Sequence, residues 1–276
     1  MIAEVYGACG FEGVLYSHEL EVPPFGEHHL HTHEMCEIHC VLRGKGSYVI
    51  EGSSHKIENG KIFLMRPGEF HKRGLGQKNV HDCLSLHFNP SIIDEIDPDR
   101  SLLDMFYKRP LGMKNVYSRQ VVAGSGIYEL FEKMDRYSGN DYAGKVNMKT
   151  LLISVLFELK NLYLSSLYDE NSDKDNNIQK IIEYINSNLR EELSVGHLCD
   201  RFFLSRAQLN RKFKALTGSS VWEYIVAKRL LLAKQYISEG MGTVEAADMS
   251  GFGDYSTFYR AYVKKYDQKP SQVKEN

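Results

Sequence analysis

The strongest constraint on the fold is an internal repeat near the C-terminal end of the chain. The sequence Leu-Asn-Arg-Lys-Phe at residues 209–213 is echoed 49 residues later by Phe-Tyr-Arg-Ala-Tyr at residues 258–262. Each copy spaces its two apolar residues four positions apart, which puts them on one face of a helix, and turns the Arg between them away from that face. The repeat therefore predicts two similar helices, each with a buried face and an outward arginine.

Capping residues predict that each copy is the second helix of a helix-turn-helix unit. Ser194 is placed to cap a first helix, Ser205 and Gln208 form a capping-box pattern at the start of the second, and Gly218 ends it. The second unit has the same layout, with predicted caps and turn at Thr243, Gly251, Phe252, Gly253 and Asp254.

A single long helix is predicted between the two units. Ser220 and Glu223 form another capping-box pattern, and residues 221–238 continue as a helix. At 1.5 Å per residue this helix is roughly 27 Å long, enough to hold two recognition helices near the ~34 Å spacing of successive major grooves. Residues 178–276 are therefore predicted to form an all-α domain that grips double-stranded DNA with two helix-turn-helix units.

The outward faces of the two recognition helices supply the predicted DNA contacts. Arg can hold guanine O6 and N7 together and Asn can hold adenine N6 and N7, so Arg211, Arg260 and Asn210 are the predicted base readers. A solvated helix face, or contact with phosphate alone, is the alternative for any one of them. The predicted DNA-binding residues are Arg206, Ala207, Asn210, Arg211, Lys214, Tyr255, Ser256, Tyr259 and Arg260.

Charge is segregated along the chain as expected if only one end meets phosphate. The net charge is -2, but residues 178–276 contain 15 Lys and Arg against 11 Asp and Glu, whereas the preceding residues contain 19 against 25. No apolar run approaches the roughly 20 residues that cross a bilayer, and the N-terminus lacks the layout of a secretory signal. The sequence therefore predicts a cytoplasmic protein without a membrane partner.

The N-terminal part is predicted to be β-rich and then helical. Up to residue 90, short β-prone runs alternate with Gly and Pro, a pattern typical of an all-β barrel or sandwich. Residues 91–168 are predicted to be a helical extension with an apolar seam, which fits packing on the barrel and a dimer interface equally well. Residues 169–177 contain no aliphatic residue and are the predicted linker. The seam consists of Leu152, Val155, Leu159 and Leu162.

A second chemical cluster is predicted in the barrel from His31, His33, Glu37 and His71. On a regular strand the first three share one face, and a later strand brings the fourth. Three imidazoles and a carboxylate suit a divalent metal such as Zn, Fe, Mn or Ni, but they also fit a metal-free polar pocket or ordinary barrel residues, so no cofactor is assigned. The five cysteines have the spacing of neither a zinc site nor a disulfide framework, and most are expected to be buried apolar residues.

The C-terminal part resembles the AraC/XylS family of bacterial transcription regulators over residues 178–274. The most specific motifs are Leu-x-Arg-x-Phe-Lys at 209–214, Gly-Phe at 251–252, Phe-x-Arg at 258–260 and Pro-Ser at 270–271. The second unit departs from the family pattern, because Tyr262 and Val263 stand where Phe-Lys is common and Asp267 stands where Gly is common. A non-glycine there predicts a strained left-handed residue or a shortened last turn.

Residues 10–90 resemble the cupin barrel that many AraC-type regulators use as an effector-sensing domain. The two resemblances imply an α+β multidomain protein, with a cupin-like barrel and helical extension before the double helix-turn-helix domain. They imply a transcription activator rather than an enzyme, controlled by a small-molecule effector such as a sugar, acting as a homodimer and contacting RNA polymerase. A metal-dependent cupin enzyme fused to a DNA-binding domain is the alternative that the barrel residues leave open.

Overall fold

The computed structural model describes residues 2–11, 13–26, 29–139, 141–166 and 177–273. The chain divides into two compact units, Met1–Lys174 and Asp175–Asn276. Of the predicted linker, only residue 177 is among the described residues, and the remainder lies outside them. The predicted fold class, a β-rich unit followed by a helical one, is confirmed.

The first unit is built on two antiparallel β-sheets. Its strands are β1 (Ile2–Phe11), β2 (Val14–Glu21), β3 (Cys36–Arg43), β4 (Gly46–Ile50), β5 (Ser53–Ile57), β6 (Lys61–Met65), β7 (His71–Leu75), β8 (His81–Phe88) and β9 (Val116–Tyr117). Six strands pair in the order β1-β2-β8-β3-β6-β9, and three pair in the order β5-β4-β7. Because successive side chains alternate between the two faces of a strand, β3 and β8 each present one face to the opposite sheet.

The extension after the barrel is not wholly helical, because it contributes β9 to the larger sheet. This strand pairs with β6 through Tyr117 and Val116, opposite Ile62 and Phe63. Two residues are too few to produce a recognisable period-two pattern, so the sequence did not predict it. The helices of the extension are α1 (Asp104–Tyr107), α2 (Arg119–Val122), α3 (Ile127–Tyr137) and α4 (Tyr142–Ser166).

The apolar seam of α4 packs on its own barrel. Leu152, Val155 and Leu159 are fully buried in a core that includes Ile38 of β3 and Leu84 of β8. Leu162 packs against the same core and is partly buried. The interpretation of this seam as a dimer interface is therefore wrong, since the barrel already covers it.

Polar contacts also attach α3 to the barrel. The hydroxyl of Tyr16 donates to Asp135 Oδ1 at 2.6 Å, and His18 Nδ1 lies 2.6 Å from Asp135 Oδ2. The other ring nitrogen of His18 lies 3.0 Å from Asp82. Burial lowers the pKa of His18, but the hydrogen bonds to Asp135 and Asp82 outweigh it and leave this pKa above its usual value.

A fully buried ion pair fixes the loop before β7 to the extension. The guanidinium of Arg109 donates through Nη1 and Nη2 to the two carboxylate oxygens of Glu69, each at 2.7 Å. Arg109 also donates to the carbonyls of Met105 and Leu64, and Gly112 N–H donates to Glu69. Burial alone would raise the pKa of Glu69, yet Arg109 outweighs it and holds this pKa below its usual range.

The second unit is all-helical in its described residues. Its helices are α5 (Asn177–Ser187), α6 (Val195–Phe202), α7 (Arg206–Thr217), α8 (Val221–Ser238), α9 (Thr243–Met249) and α10 (Tyr255–Tyr266). Across the described parts of both units, no helix combines the length and the apolar character needed to span a bilayer.

Candidate functional site

The first helix-turn-helix unit, α6 and α7, has the predicted caps. Ser194 accepts a hydrogen bond from the backbone N–H of His197 at 3.0 Å, which satisfies a free donor at the start of α6. Ser205 and Gln208 form the reciprocal capping box of α7, and Gly218 ends that helix. These interactions are local in sequence, so the sequence predicted them correctly.

The second unit, α9 and α10, differs from the prediction at one cap. Asp254 caps α10 as predicted, accepting from Thr257 N–H at 2.7 Å. Thr243 is not a cap, because α9 begins at Thr243 and the preceding Gly242 occupies the N-cap position. Glycine is tolerated at an N-cap, and Thr243 instead lies in the first turn with its hydroxyl 3.2 Å from that of Tyr255.

The two recognition helices end differently. Gly218 closes α7 in the left-handed region at φ 81°, where glycine has no steric penalty. Asp267 closes α10 in the same region at φ 52°, as the departure from the family pattern predicted. A left-handed non-glycine residue costs roughly 1–2 kcal/mol, so Asp267 adds a conformational cost at the end of α10 that Gly218 does not add at the end of α7.

Close backbone contact explains the glycine in the turn of the second unit. Gly251 has φ +91°, and a Cβ there would lie 2.2 Å from the carbonyl oxygen of Leu189. The buried Arg229 of α8 donates to that same carbonyl at 2.9 Å and to the carbonyl of Glu191 at 2.8 Å. The turn is thereby attached to the segment between α5 and α6.

The long helix α8 connects the two helix-turn-helix units and packs against both. Its bounds, Val221–Ser238, match the predicted helix. The Phe213 ring of α7 packs against Tyr224 near the start of α8, with ring centroids 5.4 Å apart. Further along α8, Leu230 and Ala233 belong to the core that also holds Phe258 of α10. The two units are thus built on successive parts of one helix.

The predicted DNA contacts lie mostly on the exposed faces of α7 and α10. Leu209 and Phe213 are buried in α7, as are Phe258 and Tyr262 in α10. Of the nine predicted residues only Tyr259 is half-buried. The exposed ones are Arg206, Ala207, Asn210, Arg211, Lys214, Tyr255, Ser256 and Arg260. These side chains are accessible to a duplex, and their contact with DNA stays a prediction.

The charged residues of both recognition helices are all basic. The sequence of α7 contains two Arg and two Lys, and that of α10 contains one Arg and two Lys, without an Asp or Glu in either. Phosphate contacts in DNA complexes come mainly from such side chains and from helix N-termini. The arrangement is therefore suited to DNA on two separate helices.

In the barrel, three imidazoles converge on one carboxylate oxygen. Glu37 Oε2 lies 2.9 Å from His33 Nε2, 3.2 Å from His71 Nε2 and 3.5 Å from His87 Nε2. Glu37 and His87 face each other across β3 and β8. His71 opens β7 in the smaller sheet, and His33 precedes β3. Three chain segments therefore supply one polar cluster, which we call the Glu37 cluster: His33, Glu37, His71 and His87.

The structure brings together three of the four residues predicted for this cluster, His33, Glu37 and His71, and adds His87. His31 pairs its backbone with His71 in an isolated bridge, and its ring lies edge-on to His71 with centroids 4.3 Å apart, so it borders the cluster. The expected regular strand from His31 to Glu37 is wrong, because β3 begins only at Cys36. His87 was missed, although alternation along β8 puts His81, Cys83, Ser85 and His87 on one face.

The orientation of two rings shows that the Glu37 cluster needs a positive charge. His33 Nδ1 lies 2.8 Å from the carbonyl oxygen of Met35, and His71 Nδ1 lies 2.9 Å from that of Glu69. A carbonyl only accepts, so both Nδ1 atoms carry the proton and a neutral ring would turn a lone pair toward the carboxylate. A protonated ring or a bound cation removes this repulsion.

The cluster therefore has donors that could hold the divalent metal that the sequence left open beside a metal-free polar pocket. His33, Glu37 and His87 each offer one ligand atom, and these atoms lie within 4.8 Å of one another. The Nδ1–carbonyl hydrogen bond of His33 is the kind that orients metal-binding histidines. A metal held there would supply Lewis acidity toward an oxygen-containing ligand.

The pKa values in the cluster reflect its mutual stabilisation. Burial raises the pKa of Glu37, but the neighbouring imidazoles of His33, His71 and His87 outweigh it, and the pKa lies well below its usual range. Burial lowers the pKa of His71, but Glu37 outweighs it and raises this pKa above its usual value. Burial and the neighbouring His71 lower the pKa of His31. Glu37 is therefore anionic at neutral pH.

Two family models match the two parts of the chain that contain these sites. An AraC-like ligand binding domain matches residues 26–138, and a helix-turn-helix domain matches residues 198–276. The first match contains the Glu37 cluster, and the second contains both recognition helices.

Curated relatives match nearly the whole chain. The HTH-type transcriptional activator RhaS of Salmonella arizonae is 25% identical over 258 residues, 91% of this chain and 88% of that protein. RhaS of Pectobacterium atrosepticum is 22% identical over 250 residues, 88% of this chain and 86% of that protein. The crystal structure of ToxT from Vibrio cholerae O395 covers 94% of this chain and 96% of its own at 14% identity, with a TM-score of 0.38. A TM-score this low supports no conclusion about arrangement, so the relationship depends on the sequences.

Proposed function

Because this chain belongs to the AraC/XylS family of transcription regulators, we propose that it activates transcription by reading two successive major grooves in response to an effector bound in its barrel. The observation that supports DNA reading is the pair of matched helix-turn-helix units, each exposing a recognition helix without acidic residues. Its relatives are named as transcriptional activators, which favours activation. In this proposal the protein acts in the cytoplasm through contact with RNA polymerase.

The recognition helices have separate roles in this proposal. Arg211 and Asn210 of α7 read one groove, and Arg260 of α10 reads the next. Lys214 and Arg206 bind phosphate and set the position of α7 on the duplex.

Selection of bound sequences from a random DNA pool tests the proposal directly. We expect two enriched sequence blocks about one helical turn apart. A selected pool with no enriched sequence, or with a single enriched block, would contradict the proposal.

The Glu37 cluster is the proposed effector site. His33 and His87 are partly exposed beside the buried Glu37, which opens a polar, hydrogen-bonding surface to a small molecule. Carboxylate acceptors and imidazoles favour a hydroxyl-rich ligand, in agreement with a sugar or a related metabolite. The ligand can act only by binding one arrangement of the protein more tightly than another.

Glu37→Gln is expected to remove effector binding and leave DNA reading intact. The amide keeps the shape but loses the charge that the three imidazoles face. A panel of sugars and sugar acids is screened by thermal shift, where a ligand at 100 times its Kd stabilises the folded form by about 2.7 kcal/mol. The variant should lose this shift while selecting the same DNA sequences as the parent. An unchanged shift would place the effector elsewhere, and substrate turnover by the parent with metal would favour the enzyme alternative.

The outer face of α4 is the proposed homodimer surface. Val146, Phe157 and Leu164 are exposed on it, and their spacings of 11 and 7 residues return to the same side of a helix. Half-exposed Ile153 lies on the same side. The face opposite the barrel therefore carries an apolar stripe with the spacing of a two-helix seam.

Phe157→Glu is expected to weaken the dimer by at least about 30-fold, because a buried aromatic anchor typically contributes about 2 kcal/mol or more. Sedimentation equilibrium of the full chain measures the dissociation constant. The matched control is Val121→Glu, which introduces the same charge at another exposed apolar residue, away from α4. A parent that stays monomeric, or equal effects of both substitutions, would exclude this surface.

A further inference from the structure

A second cluster of metal-binding side chains lies inside the barrel. His39 of β3 and His81 and Cys83 of β8 each offer one ligand atom, and these atoms all lie within 4.8 Å of one another. Their exposed fractions are 1%, 1% and 4%. The cluster adjoins the Glu37 cluster, since His39 Nδ1 lies 3.8 Å from Glu37 Oε1, but it differs by containing a thiol.

One nitrogen of this cluster lacks the partner that its burial demands. His39 Nδ1 lies 2.9 Å from Ser85 Oγ. His39 Nε2 is buried and has no hydrogen-bond partner among the described residues. A buried polar atom left unpaired costs roughly 1–3 kcal/mol, so such atoms in folded proteins usually mark a missing ligand. The Ser85 contact fixes the ring and leaves Nε2 for that ligand.

The neighbouring backbone is shaped to admit the His81 ring. A Cβ on Gly44 would lie 2.4 Å from His81 Nδ1, closer than side chains approach one another. The backbone at Gly44 is not in the left-handed region, so space and not conformation explains the glycine. Glycine at this position keeps His81 in the cluster.

We propose that His39, His81 and Cys83 bind a zinc ion. Thiolate and imidazole donors select Zn²⁺ and other transition metals over Mg²⁺ and Ca²⁺, which prefer oxygen. On binding, the Cys83 S–H bond breaks, its proton leaves to solvent and a sulfur–zinc bond forms. Three protein ligands leave one tetrahedral position for water or a small oxygen donor.

The charges around the cluster are compatible with this ion. Burial raises the pKa of Cys83 to about 12, and Arg73, whose Nη1 lies 3.7 Å from Cys83 Sγ, opposes this rise, as a bound cation would. The same Nη1 lies 3.0 Å from Glu21 Oε1, so Arg73 is paired and adds little net repulsion toward zinc. The thiolate supplies one negative charge, and the two imidazoles bind in neutral form.

X-ray absorption of the full chain, stripped by chelator and reloaded with one equivalent of zinc, tests the site. We expect one sulfur scatterer at about 2.3 Å together with nitrogen or oxygen scatterers at about 2.0–2.1 Å. A spectrum with nitrogen and oxygen alone would place zinc in the Glu37 cluster, which has no sulfur, and would overturn the proposal. Failure of the stripped protein to bind zinc at micromolar concentration would do the same.

Two cysteine substitutions test whether Cys83 supplies the sulfur ligand. Cys83→Ser should remove the sulfur scatterer and weaken zinc binding by at least about tenfold, the smallest effect typical even of residues that only orient a ligand. Cys40→Ser is the matched control, because Cys40 is a buried thiol on the opposite face of β3. Retention of sulfur in Cys83→Ser, or its loss in Cys40→Ser, would refute the assignment.

Two further variants separate this site from the effector site. His39→Gln should weaken zinc binding, and the sulfur scattering should fall with the fraction of zinc that stays bound. Glu37→Gln should retain both the zinc affinity and the sulfur scatterer. Circular dichroism of each variant establishes that it is folded. If Cys83→Ser does not fold, the parent spectrum and His39→Gln decide the outcome, since unchanged zinc affinity in His39→Gln also contradicts the proposal.

Discussion

Replacing Arg109 by leucine is expected to destabilise the barrel unit by about 3–5 kcal/mol, because it leaves the Glu69 carboxylate buried without its partner. Both side chains of this pair are 0% exposed. Urea unfolding followed by circular dichroism measures the loss as a shift in midpoint at constant slope. Fluorescence of Trp222, which lies in the other unit, should show little change.

The exposed pair Arg100–Asp94 provides a matched control. It has the same two-point geometry, at 2.6 and 2.7 Å, but its side chains are 46% and 40% exposed. Arg100→Leu should cost far less than Arg109→Leu, since water screens and replaces such an exposed pair. Adding Glu69→Leu to Arg109→Leu should cost less than the sum of the single changes. Equal costs for the buried and exposed pairs would show that the buried pair is not important for the fold.

Arg211→Ala and Arg260→Ala are each expected to weaken specific DNA binding by about 1–3 kcal/mol, or roughly 5-fold to 150-fold. Each change should also relax sequence preference within one of the two blocks, because the lost side chain reads base edges in one groove. Binding titrations against the selected site and against single-base variants measure both effects. A footprint insensitive to either arginine would contradict the assignment of α7 and α10 as recognition helices.

Two other substitutions distinguish the loss of a base contact from the loss of one positive charge. Lys214→Ala should weaken binding to all sequences alike. It should also reduce the slope of log binding constant against log salt concentration by about one, the loss of one phosphate contact. Arg136→Ala removes an exposed arginine from α3 in the other unit and should leave sequence preference unchanged. If Arg136→Ala relaxes preference as much as Arg211→Ala, net charge and not base reading explains the result.

The helical unit could be predicted from sequence because its determinants are local. The capping boxes of Ser205 with Gln208 and Ser220 with Glu223 involve residues three positions apart, and each sets a helix boundary. The error at Thr243 has a local cause too, because a glycine directly before it occupies the cap. Periodicity then settled which side chains are buried, except for Tyr259, which packs near Tyr255 with ring centroids 6.3 Å apart.

The barrel sites could be predicted only in part because their residues meet through strand pairing. His87 is opposite Glu37 by the register of β3 and β8, which no motif within either segment specifies. The spacing of the cysteines likewise concealed Cys83, whose companions His39 and His81 come together through tertiary contacts. The period-two alternation of β8 was the available signal for both residues.

The left-handed Asp267 at the end of α10 has a consequence for the genome that this protein regulates. If the last turn of α10 opens more readily than that of α7, the half of the operator under α10 is read with less discrimination. Base changes there should then accumulate among natural binding sites, while the half under α7 stays nearly constant. Promoters under its control should therefore differ in strength mainly through their permissive half.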